Sequence, residues 1–157
     1  METIVRSVGF LGGGRITRII LQAFANKNLA FDCIKGFDKD PEKLEKLRSF
    51  FPSFQPAENA AEVASSCRMV VLALHPQDIP AVLNEIAPVT SPDTILISLA
   101  PKITIAQIQS AVAKTCPVVR MIPNAPSIIN QGYNAVAFSK DILQNKQLHD
   151  LLCQFFS

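Results

Sequence analysis

The chain has 157 residues, 48% of them apolar and 18% charged, and fifteen Lys and Arg against thirteen Asp and Glu give a net charge of +2. That length and apolar content suit one domain with a sizeable core and exclude wholesale disorder. Neither sign of charge forms a long run, so nucleic acid is offered no electrostatic footprint. The longest apolar stretches, Met69 to Leu74 and Ile95 to Ala100, are too short to cross a bilayer. The opening Met-Glu-Thr-Ile-Val-Arg leads into an apolar run ended by glycines, unlike a signal peptide, so a cytoplasmic protein is expected. Cys33, Cys67, Cys116 and Cys153 are scattered without a C-x-x-C pair or a Cys/His cluster. No metal site is expected, and all four thiols are expected to pack as small buried hydrophobes.

Along the chain, Val5 to Leu11 is an apolar, partly β-branched run that stops at Gly12-Gly13-Gly14 and reads as a buried strand. Ile16, Ile19, Ile20, Ala23 and Phe24 follow at helical spacing and predict an amphipathic helix opening at those glycines. Phe31 to Phe37 predicts a second strand. Asp40-Pro41 supplies an N-cap and first-turn proline for a helix with Leu44 and Leu47 inward. Asn59 and Glu62 form a capping-box pattern for a short helix over Ala60 to Ala64. Met69 to Leu74 is continuously apolar, as in a strand buried on both faces, and a helix carrying Ile79, Val82, Leu83 and Ile86 follows. Thr94 to Leu99 predicts another strand. Thr104 and Gln107 cap a helix bearing Ile105, Ile108 and Val112, and Pro117 to Ile122 and Asn134 to Phe138 predict the last two strands. A closing helix from about Asp141 presents Leu148, Leu151, Leu152 and Phe155 on one face as core, with His149 on the solvated side. Strands alternating with helices predict an α/β fold, a doubly wound, mostly parallel sheet that binds ligands at the carboxyl ends of its strands.

Gly12-x-Gly14-x-x-Thr17 matches the first two positions of the dinucleotide fingerprint at the first strand–helix junction. The chemistry needs those positions bare: the first glycine for the tight turn, the second so that a pyrophosphate can approach the amides at the helix's positive end. A glycine turn of purely steric origin is the alternative. Thr17 in place of the usual Gly or Ala would hold helix and strand slightly further apart. Asp38, at the end of the second strand, would accept from an adenosine ribose diol and favour NAD(H), whereas Lys39 beside it could balance a 2′-phosphate and favour NADP(H). Asp38, Lys39 and Asp40 could instead form a solvated turn, with Asp40 as the helix cap. Arg120, inside an apolar strand, is expected to be paired and structural.

The segments Val8-Gly-Phe-Leu-Gly-Gly-Gly14, Asp38-Lys39-Asp40-Pro41-Glu42-Lys43-Leu44, Val71 to Gln77, Leu96-Ile97-Ser98, Ile103-Thr104-Ile105 and Val119-Arg120-Met121-Ile122-Pro123-Asn124-Ala125-Pro126 with Gly132 stand in one order along the chain. In them the chain resembles the N-terminal part of the pyrroline-5-carboxylate reductase family. The resemblance implies a Rossmann-type NAD(P)-binding domain over residues 1–157. The activity it implies is hydride transfer from NADPH or NADH to the C=N carbon of a cyclic imino acid, giving L-proline. By position, Gly12, Gly13 and Gly14, with Arg15 and Ile16 opening the helix, would cradle the pyrophosphate, and Asp38 and Lys39 would meet the adenosine ribose. Ala73, Leu74, His75 and Pro76 would line the dinucleotide path, Ser98 and Ala100 would lie near the nicotinamide, and Asn124 and Pro126 would wall the nicotinamide and substrate pocket. No residue is singled out as a proton donor or nucleophile, as fits chemistry carried by the coenzyme. The family's helical dimerisation domain is not part of these residues, and a homo-oligomer is expected only where that domain is present. The chain departs from the family pattern with His75 for Lys, Leu99-Ala100-Pro101-Lys102 for Ala-Ala-Gly, and Ala125 for Thr. These changes keep open a reductase with another substrate or a module that binds dinucleotide without turnover. A methyltransferase also carries a glycine turn after its first strand, but the chain has no acidic residue just before Gly9.

Overall fold

A computed structural model describes residues 6–112 and 116–157. Seven strands, β1 (Ser7–Leu11), β2 (Cys33–Phe37), β3 (Phe54–Pro56), β4 (Met69–Leu72), β5 (Ile95–Ser98), β6 (Val118–Ile122) and β7 (Ala135–Phe138), form one sheet in the order β3-β2-β1-β4-β5-β6-β7. All neighbours are parallel except β6 and β7, which run antiparallel. The expected doubly wound α/β architecture is therefore present, and the strand order reverses between β1 and β4. That reversal opens a crevice at the carboxyl ends of those two strands.

The sheet is buried because its central strands are apolar on both faces. Met69 and Val71 of β4 point to one core with Val8 and Phe10, and Val70 and Leu72 point to the other with Leu11. On the first face pack α1 (Arg15–Asn26) through Ile20 and Leu21, α2 (Pro41–Phe50) through Leu44 and Leu47, and α6 (Lys140–Gln144) and α7 (Lys146–Phe156) through Ile142 and Leu152. The other face is covered by α3 (Ala60–Ser66), α4 (Ile79–Ile86) and α5 (Ile105–Ala111), chiefly through Val63, Leu83 and Ile108. Asp40 caps α2 by accepting from the Glu42 amide, and Thr104 with Gln107 closes a full capping box on α5.

Several elements differ from the sequence reading. Three-residue β3 was not expected, and β1 and β2 are shorter than their apolar runs; Val5 lies outside the described residues. The closing helix breaks in two at Asn145, whose side chain accepts from the Leu148 amide and starts α7 afresh. Only half of the capping box on α3 forms. Asn59 accepts from the Glu62 amide, but the Glu62 carboxylate turns to Lys35 Nζ (2.8 Å) and the Glu58 amide (2.8 Å). His149 is half-buried rather than solvated, edge-on to Phe138 with ring centroids 5.0 Å apart. Cys67 and Cys116 are buried as expected, while Cys33 is half-buried and Cys153 exposed on α7. Among the described residues, no helix is long and apolar enough to cross a membrane.

Candidate coenzyme cleft

The turn from β1 into α1 is built around two glycines that are bare for different reasons. Gly12 has φ +107°, a backbone conformation that side chains strain to adopt, and a Cβ there would run into the Ala73 carbonyl oxygen. Its N–H donates to the Phe37 carbonyl (2.8 Å), tying the turn to the end of β2. Gly14 is different. It has φ −81°, which any residue adopts, and a Cβ there would meet nothing within 4 Å. Nothing in the fold requires glycine at 14, so what its bareness leaves open is the space outside the turn.

That space faces the start of α1. The first amides of a helix have no intrahelical partner, Gly14 offers them no side-chain cap, and the first turn holds no acidic residue. Partial positive charge is thus left for an anion from outside. Thr17 does not disturb the turn: fully buried, its hydroxyl donates to the Gly12 carbonyl (2.6 Å).

Asp38 is not part of a solvated turn. Its side chain is 13% exposed, Oδ2 accepts from the Gly13 amide (2.7 Å) and Oδ1 from the Asp40 amide (2.9 Å), and Lys43 Nζ lies 3.9 Å from Oδ2. The carboxylate therefore clamps the glycine turn to the β2–α2 loop, and Asp40 alone caps α2. Lys39 is 81% exposed and its Nζ lies 3.9 Å from Asp78 Oδ1, beyond β4.

Together these residues border a cleft of about 590 Å³ at the reversal point. It gathers Gly12, Gly14, Arg15, Ile16, Asp38, Lys39, Ala73, Leu74 and His75 from the sequence reading, and adds Lys43, Asp78 and Leu99, which that reading had missed. Basic and acidic groups cluster at its β2 end, and Leu74, Val82 and Leu99 supply apolar wall. Gly13 sits behind the turn with its amide taken by Asp38. His75 is exposed and precedes a 3-10 turn over Pro76–Asp78.

The remaining expected residues do not line this cleft, among them Pro76, which opens the 3-10 turn after His75. Ser98 is 0% and Ala100 2% exposed, and Ser98 Oγ accepts from the Ala100 amide (3.3 Å), so both are buried in the interior. Asn124 and Pro126 follow β6 in a 3-10 turn over Ala125–Ile129. Asn124 donates to the Tyr133 carbonyl (3.0 Å), and the turn is drawn onto α1 by Asn26 donating to the Ile128 carbonyl (2.7 Å) and Asn130 to the Ala23 carbonyl (3.2 Å). A separate apolar cavity of about 110 Å³, bordered by Phe24, Met121, Ser127 and Phe155, lies beneath that turn. Arg120 has no ion pair among the described residues; its guanidinium donates to the Pro101 carbonyl, beyond β5. Strong pKa shifts lie elsewhere: burial pushes the Cys67 and Cys116 thiols up to about 12.

Residues 7–102 match the family model described as NADP oxidoreductase coenzyme F420-dependent. The chain belongs to this family. The matched span runs from β1 through the loop after β5 and so contains the whole cleft. Pyrroline-5-carboxylate reductase 3 of Xenopus laevis is 31% identical over 134 residues, covering 85% of this chain and 47% of its own. Pyrroline-5-carboxylate reductase of Escherichia coli is 28% identical over 132 residues, covering 83% and 49%. The chain thus spans about half the length of the curated relatives it matches. Among solved structures, Plasmodium falciparum pyrroline carboxylate reductase with NADP bound superposes with a TM-score of 0.81 at 22% identity, over 99% of this chain and 55% of that one. Aquifex aeolicus prephenate dehydrogenase, at 13% identity and a TM-score of 0.78, shares the same fold.

Proposed function

We propose that residues 1–157 are the coenzyme-binding domain of an NAD(P)H-dependent reductase acting on a carbon–nitrogen double bond, with 1-pyrroline-5-carboxylate as substrate and L-proline as product. The observation that carries this reading is Gly14: open on its outer side, beside uncapped helix amides, in the cleft at the strand reversal. The pyrroline-5-carboxylate reductases that the chain resembles supply the reaction class.

The amides of Gly14, Arg15 and Ile16 would hold the pyrophosphate, with Gly13 withheld by Asp38. Asp38 and Lys39 lie at the adenosine ribose end. Ala73, Leu74 and His75 border the path toward Leu99, and Pro76 is assigned to the same path, with Ser98 and Ala100 buried on either side of Leu99 in sequence. Asn124 and Pro126, at the carboxyl end of β6, are assigned to the wall of the substrate pocket. When bound, NAD(P)H would supply the hydride that adds to the imine carbon, and the nitrogen takes a proton to become a secondary amine. The chain's part is to fix the coenzyme and keep one face of the cleft apolar. A helical dimerisation domain, as the resemblance implies, would supply the remaining substrate contacts.

The test is a titration of the protein with NADH and NADPH, followed by nicotinamide emission because the chain has no Trp. Saturable binding, and turnover of pyrroline-5-carboxylate by the full-length gene product, is the expected result; folded protein that binds neither nucleotide overturns the proposal. One observation favours a second reading, a module that binds coenzyme without turnover: Ser98 and Ala100 present almost no surface to the cleft. Tight coenzyme binding with no imine reduction by the full-length product would select it.

A further inference from the structure

We infer that Asp78 sets which coenzyme the cleft prefers, by withholding Lys39 from a 2′-phosphate. This rests on the reading of the cleft as a dinucleotide site. A ribose that carries a 2′-phosphate needs a cation free to meet it, whereas a free diol needs an acceptor. Lys39 stands at the end of β2, where that distinction is made, and reaches across the cleft mouth to Asp78 Oδ1 at 3.9 Å. Lys43, in the first turn of α2, is directed to Asp38 Oδ2 at the same distance. Asp38 in turn already accepts from two amides, so its charge is fixed in place and does not swing away.

The β2 end of the cleft therefore matches each nearby lysine with a carboxylate: Lys39 with Asp78, Lys43 with Asp38. A 2′-phosphate brought there must take Lys39 from Asp78 and then lie beside an unpaired carboxylate; a ribose diol does neither. Asp78 belongs to the 3-10 turn Pro76–Asp78, not to the glycine turn, so its charge can be removed without touching the pyrophosphate cradle. It is 39% exposed by side chain and its backbone amide donates to the His75 carbonyl (3.0 Å), a bond that an asparagine keeps.

The experiment is a set of NADH and NADPH titrations of the wild-type protein, Asp78→Asn, Lys39→Gln and the double variant, read as dissociation constants. Asp78→Asn is expected to shift the ratio of the two dissociation constants toward NADPH by about fivefold, the upper end for an exposed ion pair. In the Lys39→Gln background the same change is expected to give no gain. A ratio that Asp78→Asn leaves unmoved, or a gain that persists without Lys39, overturns the inference. Wild-type protein that binds neither nucleotide overturns the underlying reading, and this inference with it.

Discussion

Gly12 and Gly14 stand two residues apart in one turn, yet their substitutions should fail in opposite ways. At Gly12, alanine must hold φ near +107°, a left-handed strain of about 1–2 kcal/mol. Its Cβ must also displace the Ala73 carbonyl, in a segment whose amide donates to the Leu11 carbonyl at 2.8 Å. Together these should cost about 2–4 kcal/mol, a fall in Tm of about 5–15 °C for a domain of this size. Gly14→Thr is the contrasting case. Threonine caps a helix about as well as glycine, φ −81° suits it, and its Cβ meets nothing within 4 Å. Stability should stay within about 0.5 kcal/mol of wild type, while three added heavy atoms fill the space left for the pyrophosphate and weaken coenzyme binding by more than about tenfold. Paired thermal melts and coenzyme titrations make the test. If Gly14→Thr melts as early as Gly12→Ala, or binds coenzyme like wild type, Gly14 is bare for a reason other than a ligand.

Thr17→Val removes the hydroxyl that satisfies the Gly12 carbonyl and should destabilise by about 1–2 kcal/mol in urea denaturation. Glu62 has its pKa lowered, first by the hydrogen bond from Lys35 and then by the Glu58 amide. The stabilisation from that shift is complete above the ordinary value of 4.5 and is lost as pH falls through the lower folded value. Glu62→Gln should therefore flatten the acid limb of the stability profile. With Cys67 and Cys116 held near 12 by burial, a disulfide reagent at pH 8 should modify exposed Cys153 fast and half-buried Cys33 more slowly. The other two thiols should appear only on unfolding; rapid reaction of all four in native protein would contradict the packing described.

Much of the fold is legible because single residues announce it. The continuous apolar run of β4 reads as a strand buried on both faces and is one, the run around β5 reads as a strand, and Asp40, Asn59 and Thr104 mark helix starts that the structure keeps. Short β3 was missed because Phe54-Gln55-Pro56 is too brief to show a period and contains a proline. It becomes a strand by pairing along β2. The break at Asn145 was hidden by apolar spacing that runs across it. At the site, Gly12 and Gly14 could be read from their neighbours in sequence. Lys43, Asp78 and Leu99 could not, since three separate elements bring them to the cleft. The course of the Asn124 turn was hidden for a related reason. Its course is set by hydrogen bonds to Asn26 and Ala23 of α1, about a hundred residues earlier in the chain.

The most direct test of the coenzyme-domain assignment is amide hydrogen exchange with and without saturating NADH or NADPH. The assignment predicts protection at Gly14 to Ile16, at Asp38 to Asp40 and at Ala73 to Asp78, the three segments that meet in the cleft. No protection at the glycine turn, or protection confined to the Pro123–Asn134 segment over the apolar cavity, would contradict it.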